Sequence, residues 1–404
     1  MVWLASSAGL DGCLKKLWLE QQCGLKKSVC RGMSTNYQNR TVYKNRITSI
    51  NVNSLSFSVL QRACAACCAL ACCAGFAAAI TVTPNIPYVS EGGSNTVLDV
   101  ILPDQPPRPG TPTVIMIHGG GWTTGDKSQV AEFCAELARL GYPVVNMNYT
   151  LATPGSPSHP QAVKDVKSVI RWIRTSESLP FRLPPQIVVT GSSAGGHLAL
   201  MAGMTRRSAL LDPRPLGQNV SYALQGCVSM WGPADLIWDV ETFGQGAGMT
   251  SYIGAPLSAS SEGQYVSASP IVYVNPCDPP SAFFHGTADT VVPVGHSVRM
   301  AEALRSIGIY AETNYAPRGG HGFVAFGGQI ETARLVAVSI RELRESRNPA
   351  DFNRDGGVDG SDVQAFFDAW EVAEPDADVN GDGAVDGSDV EDFFVTWQAG
   401  GCIG

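Results

Sequence analysis

Residues 187–203 read IVVTGSSAGGHLALMAG: an apolar run stops at a glycine, meets two serines and turns helical within three residues. β-Branched residues closed by a glycine make a buried strand. The Gly-x-Ser-x-Gly of Gly191, Ser192, Ser193, Ala194 and Gly195 then sets Ser193 on a tight corner between small neighbours. Such a corner lifts the serine hydroxyl clear of the sheet, where a substrate can reach it. It also serves as a plain connector, so the companions of Ser193 elsewhere in the chain decide its role.

Outward from this stretch, the chain from Thr96 alternates apolar runs with helical ones. TVLDVILP, TVIMIH, YPVVNMNY, QIVVTG, GCVSMW, SAFFHG and IYAETNY predict strands. Helices are expected over residues 128–140, 161–175, 194–205, 298–306 and 328–345. Strands that are apolar throughout and separated by amphipathic helices imply a mostly parallel, doubly wound sheet covered on both faces. Residues 235–270, rich in Gly, Ser and Ala without a clear period, are expected to form an irregular lobe over the sheet's carboxyl edge.

A serine hydroxyl needs a base to take its proton, an acid to hold the base, and donors for the oxyanion. IMIHGGGWTTGDK places His118 and Gly119, Gly120 and Gly121 directly after an apolar strand, where bare amides can face a cavity. The segment carries neither a G-x-G-x-x-G fingerprint nor a GK[ST], so the phosphate-loop readings are not supported. FFHGTADTVVP offers Asp289 as the acid and APRGGHGF offers His321 as the base, giving the chain order Ser, Asp, His. Asp235 in WGPADL is the competing acid. His118 and His197 read as packing residues, and His159, His285 and His296 as lesser candidates for the base.

On these four motifs the region from about Thr96 to Arg347 resembles an α/β-hydrolase of the carboxylesterase and lipase group, and HGGGW, GSSAGGHLAL and HGTADTVVP are most similar to its feruloyl and acetylxylan esterase-like branch. The resemblance implies a carboxylesterase with Ser193, Asp289 and His321 as triad, and Gly120, Gly121 and Ala194 as oxyanion-hole amides. It implies no cofactor for catalysis. NYTLATPG departs from the arginine-bearing form usual in that family, with Thr150 in its place. Two other readings stand beside it: a prolyl-oligopeptidase-like serine peptidase, and a non-catalytic binding protein on a hydrolase body.

Charge divides the 404 residues into three. The net −8 conceals +7 over residues 1–79, −13 over 350–404 and a near-neutral middle, which makes nucleic acid an unsuitable general partner. Eight of twelve cysteines lie at or before Cys73. Residues 63–80, ACAACCALACCAGFAAAI, are uncharged, follow a basic leader and end in small residues, as an export signal does. We therefore expect residues 1–79 to be leader and signal, with Met33 a candidate true start, residues 80–348 a catalytic domain, and the mature protein secreted. The four remaining cysteines would allow two disulfides.

After Asn348-Pro349 a repeat begins. DFNRDGGVDGSDVQAFFDAW from Asp351 recurs as DVNGDGAVDGSDVEDFFVTW from Asp378. The tail, residues 350–404, resembles a dockerin, a small all-α calcium-binding module that attaches secreted polysaccharide-degrading enzymes to a cohesin-bearing partner. The resemblance implies two calcium ions, held by Asp351, Asn353, Asp355, Asp359 and Asp362 and by Asp378, Asn380, Asp382, Asp386 and Asp389.

Overall fold

The computed structural model describes residues 79–89, 96–175, 182–206, 208–213, 220–244, 246–346, 350–379 and 384–400. The chain divides into two compact units, Met1–Ala74 and Gly75–Gly404, and every described element belongs to the second. The expected export span lies outside the described residues apart from Ala79 and Ile80. Among the described residues no helix is long and apolar enough to cross a membrane.

Eight strands form one sheet: β1 (Ile80–Pro87), β2 (Val97–Pro103), β3 (Thr113–Ile117), β4 (Val144–Met147), β5 (Ile187–Ser192), β6 (Gly226–Met230), β7 (Ser281–Gly286) and β8 (Ala311–Ala316). Their spatial order is β1-β2-β4-β3-β5-β6-β7-β8. β2 runs antiparallel to β1 and β4, and all later pairs are parallel. The helices of the body are α1 (Ala131–Arg139), α2 (Gln161–Thr175), α3 (Ala194–Met204), α4 (Leu236–Phe243), α5 (Ala247–Ile253), α6 (Glu262–Ser267), α7 (Gly295–Ser306) and α8 (Gln329–Glu345). The tail adds α9 (Gly360–Glu371) and α10 (Gly387–Gly400).

Alternation along the central strands builds two cores. Ile115 and Ile117 of β3 face α2, α3 and α7, whereas Val114 and Met116 face α1 and α8. β3 and β5 are buried at every position, which is why their sequences carry no polar alternation. Burial of each such Ile or Val contributes roughly 1.5–3 kcal/mol, so the sheet centre is the rigid floor beneath the loops at its carboxyl edge.

The structure corrects three expectations. The interval 235–270 is not irregular but folds as α4, α5 and α6, with Asp235 capping α4 through the Trp238 amide and Gly254 closing α5 in the left-handed region. The seventh helix begins at Gly295, not at residue 298. β1 is an additional edge strand, mostly exposed. Of the later cysteines, Cys134 and Cys227 are buried free thiols, while Cys277 is disulfide-bonded.

Candidate active site

The corner after β5 has the geometry its sequence implies. Ser193 adopts φ 54°, ψ −120° at the N-cap of α3, and its amide donates to Met230 O at 2.8 Å. A non-glycine residue in that region costs on the order of 1–3 kcal/mol and persists only where its surroundings fix it. They fix it by close approach: a Cβ on Gly191 would stand 2.2 Å from Gly195 O, and one on Gly195 would stand 2.2 Å from Ile117 O. The glycines therefore let β5, α3 and the end of β3 converge beneath the serine.

Asp289 and His321 arrive on the loops after β7 and β8. His321 Nε2 lies 3.0 Å from Ser193 Oγ, and His321 Nδ1 lies 2.7 Å from Asp289 Oδ2. An ionised carboxylate at Oδ2 accepts from Nδ1–H, which leaves Nε2 as the acceptor for the serine proton. The other oxygen, Asp289 Oδ1, accepts from the amides of Val291 (2.8 Å) and Val292 (2.9 Å). Burial acts to raise the Asp289 carboxyl, but hydrogen bonds with His285 and His321 and the Val292 amide, together with the His321 charge, hold it well below the usual carboxylate range. It stays ionised, as an orienting acid must.

Of the expected oxyanion donors, Ala194 follows the serine directly, and Gly120 and Gly121 lie on the loop after β3, whose Gly119 approaches the serine so closely that a Cβ there would stand 3.3 Å from Ser193 Cβ. The amides of Gly120, Gly121 and Ala194 donate to no protein acceptor among the described residues. Gly120 (φ 116°) takes Thr123 and Thr124 amides onto its carbonyl, and a Cβ there would meet Thr124 O at 2.0 Å. His118 is the brace beneath this loop: it stacks on Tyr149 with centroids 4.5 Å apart, and its Nδ1 donates to Gly119 O at 2.6 Å.

Several residues around the site take roles that their sequence setting did not specify. His285 is fully buried, with Nδ1 2.7 Å from Ser297 Oγ and Nε2 2.8 Å from Val292 O and 3.4 Å from Asp289 Oδ2, so it ties the acid loop to α7. Trp231, at φ 45° just past β6, sets its ring edge-on to His321 and stacks on Phe326. Trp122 donates to His197 Nδ1 at 3.2 Å, and His197 Nε2 in turn donates to Ala268 O at 2.7 Å. Burial pushes His197 down to about 3, consistent with a neutral packing residue. Asp235, the competing acid, instead caps α4 and pairs with Arg299 at 2.7 Å. At the departure noted above, the Thr150 amide donates to buried Asp165 at 2.7 Å, with Gln161 supplying a second donor at 2.8 Å.

In the tail, the first repeat curls on its own oxygens. Asp351 accepts from the Gly356 amide, Asn353 Oδ1 from Asp355, Asp355 from Gly357, and Asp362 from both Asn353 and Asp359. Burial, opposed by those two amides and reinforced by the Asp355 and Asp359 charges, pushes Asp362 up to about 6. An all-oxygen donor set fits a hard cation such as calcium in kind. Among the described residues, however, no three His, Cys, Asp or Glu side chains gather as a metal-binding cluster. In the second repeat Asp386 caps Ser388 and Asp389 accepts from Val379 and Asp386, while Asn380 and Asp382 lie outside the described residues.

A mostly parallel eight-stranded sheet with Ser, Asp and His, in that chain order, on loops at its carboxyl edge defines the α/β-hydrolase class. Residues 98–304 match the BD-FAE family profile, and the chain belongs to that family. Esterase LipQ of Mycobacterium tuberculosis is 31% identical over 268 residues, covering 65% of this chain and 61% of that protein. The chain spans about three-fifths of the length of the curated relatives it matches. Among solved structures, a truncated carbohydrate esterase from gut microbiota superposes with a TM-score of 0.58 at 25% identity, covering 67% of this chain and 99% of that one. A bifunctional GH43-CE protein of Bacteroides eggerthii superposes with a TM-score of 0.57 at 28% identity, covering 65% and 38%.

Proposed function

We propose that this chain is an exported serine carboxylesterase that hydrolyses acyl esters, acetyl or feruloyl, carried on plant-type polysaccharide. The unbroken hydrogen-bond chain from Ser193 Oγ through His321 to Asp289 carries the reading, and esterases among the relatives support it. The carbohydrate esterase neighbour favours a sugar as the alcohol partner.

In this mechanism His321 Nε2 takes the serine proton as Ser193 Oγ bonds the acyl carbon. Asp289 holds the imidazole tautomer and stabilises the imidazolium. The amides of Gly120, Gly121 and Ala194 meet the oxyanion, and its collapse expels the alcohol with the proton held on His321. Water then repeats the sequence on the acyl-enzyme. The tail is a dockerin-like module that takes two calcium ions through the ten residues named above and docks a cohesin-like partner.

The test is hydrolysis of p-nitrophenyl acetate and its loss on treatment with a serine-directed phosphonate. A panel of acetylated xylan, feruloylated arabinoxylan, long-chain p-nitrophenyl esters and a chromogenic peptide then assigns the substrate. Cleavage of the peptide without ester turnover would overturn the reading.

A further inference from the structure

Far from the serine, at the opposite edge of the sheet, lies a groove of about 700 Å³. It is bounded by the loop from β2 to β3, the end of α1 with the turn into β4, and one face of α8. β3 and β4 run from this edge toward the edge that carries Ser193, so the groove is no part of the catalytic cleft. Five arginines line it: Arg108, Arg139, Arg334, Arg341 and Arg344, against a single lining carboxylate, Asp104.

The fold accounts for two of the five. Glu136 pairs with Arg139 at 3.4 Å and with Arg334 at 2.8 Å, and Arg334 also reaches Glu331 at 3.4 Å. The guanidinium groups of Arg108, Arg341 and Arg344 make no hydrogen bond or ion pair with any described residue. Arg341 and Arg344 lie close enough to Tyr142 to favour its ionised form against burial. Gathering three unpaired guanidinium groups in a body that is otherwise near neutral costs repulsion that no internal contact offsets.

The wall facing α8 is pre-formed. Pro103, Pro106, Pro107 and Pro109 fix the backbone that carries Arg108, so little chain entropy is lost when a ligand enters. Leu140 (46% exposed) and Val338 (41% exposed) place aliphatic surface between the charges. The lining offers no exposed aromatic ring, since Tyr142 is only 7% exposed and donates its hydroxyl to Ala337 O. A base-stacking platform for nucleic acid is therefore absent from the groove's lining.

We propose that this groove binds an acidic polysaccharide strand, its carboxylate or sulfate groups held by Arg108, Arg341 and Arg344 and its ring faces resting on Leu140 and Val338. Planar guanidinium forks suit such oxyanions. The inference rests on the reading of the protein as a carbohydrate-directed esterase, and makes the groove a second contact that keeps the enzyme on an acidic polymer.

Affinity electrophoresis of the full chain tests it, with polygalacturonate, dextran sulfate or neutral xylan in the gel. The anionic glycans are expected to retard the protein and neutral xylan not, and the glycan that retards it more identifies carboxylate or sulfate as the source. Replacing Arg108→Ala, Arg341→Ala and Arg344→Ala together should weaken retardation about tenfold or more, with p-nitrophenyl acetate turnover within about twofold of wild type. Should the triple variant not fold, Arg108→Gln alone, on an exposed loop, should still reduce retardation. Wild-type mobility unchanged by both anionic glycans at low salt, equal retardation of variant and wild type, or tighter binding of a single-stranded oligonucleotide of matched charge would each overturn the groove's assignment. Ester turnover is read separately, so retardation without turnover would count against the esterase and not against the groove.

Discussion

The placement of Ser193 is set by its backbone as much as by its neighbours. The hydroxyl faces His321 because φ 54° turns it there, and nothing in the corner depends on its oxygen for folding. Ser193→Ala should therefore fold normally and lower kcat for p-nitrophenyl acetate about 10⁴-fold or more, whereas Ser192→Ala should stay within about tenfold of wild type, as both mutants assayed side by side would show. His321→Ala should cost more than Asp289→Asn, because the base makes the bond change and the acid only orients it. Asp289 also links activity to stability. Its carboxyl titrates lower when folded than in the unfolded chain, so the stability it contributes is complete above about pH 4 and is lost as the pH falls toward the folded value. Thermal melts of wild type and Asp289→Asn should thus differ at pH 7 and draw together progressively as the pH falls below about 4 toward the folded value. A constant gap across that range would show that the carboxylate's charge does not stabilise the fold.

At the scale of elements, the loop after β3 separates space from backbone freedom. Gly120→Ala would drive a Cβ into Thr124 O, at 2.0 Å, so the loop must open and both melting temperature and turnover should fall sharply. Gly121 has open space around its Cβ position but φ 57°, so Gly121→Ala should cost only about 1–2 kcal/mol and retain most activity. Equal losses for the two would mean that the loop is held by something other than this contact. The elements that were legible in the sequence were those with a long, single-valued pattern: β3 and β5 as unbroken apolar runs, α2 with Val163, Val166, Ile170 and Ile173 on one face. The lobe was not, because α4, α5 and α6 have only eight, seven and six residues, too few turns for a period to emerge from Gly, Ser and Ala. β1 was hidden for a different reason: an exposed edge strand containing Pro84 has neither a buried face nor a full set of donors to announce it. The residues that meet as Ser193, His321 and Asp289 were legible because glycines and chain order mark them, whereas His285 and Trp231 act through burial and ring contacts that only folding brings together.

Across the whole molecule, the tail is wired to the body and to itself. Gln225 donates to Arg354 O at 2.7 Å, Arg174 reaches Asp355 O at 3.4 Å, and Gly356 sits where a Cβ would strike Leu224 O at 2.1 Å, so the first repeat rests on the loop entering β6. Within the tail, Phe366 stacks on Phe393 at 4.2 Å, and the two tryptophans cross over: Trp370 donates to Asp386 O at 2.8 Å and Trp397 to Asp359 O at 3.3 Å. Each indole thus reports on the other repeat's loop. Fourteen carboxylates against one arginine over residues 350–404 repel one another, and the core of Phe366, Ala369, Ala377 and Phe393 is small. If calcium offsets that repulsion, binding only the folded form, it must stabilise the tail by mass action. Calorimetric titration of the EDTA-stripped full chain should then give two calcium ions per chain. Tryptophan emission should change with the same midpoint, and replacing Trp370→Phe and Trp397→Phe should abolish the change, while ester hydrolysis by Ser193, on the far edge of the sheet, continues in EDTA. A stoichiometry of zero would leave the repeats as an acidic pair of helices held by their aromatic stack alone, and loss of turnover in EDTA would place the metal's influence at the active site instead.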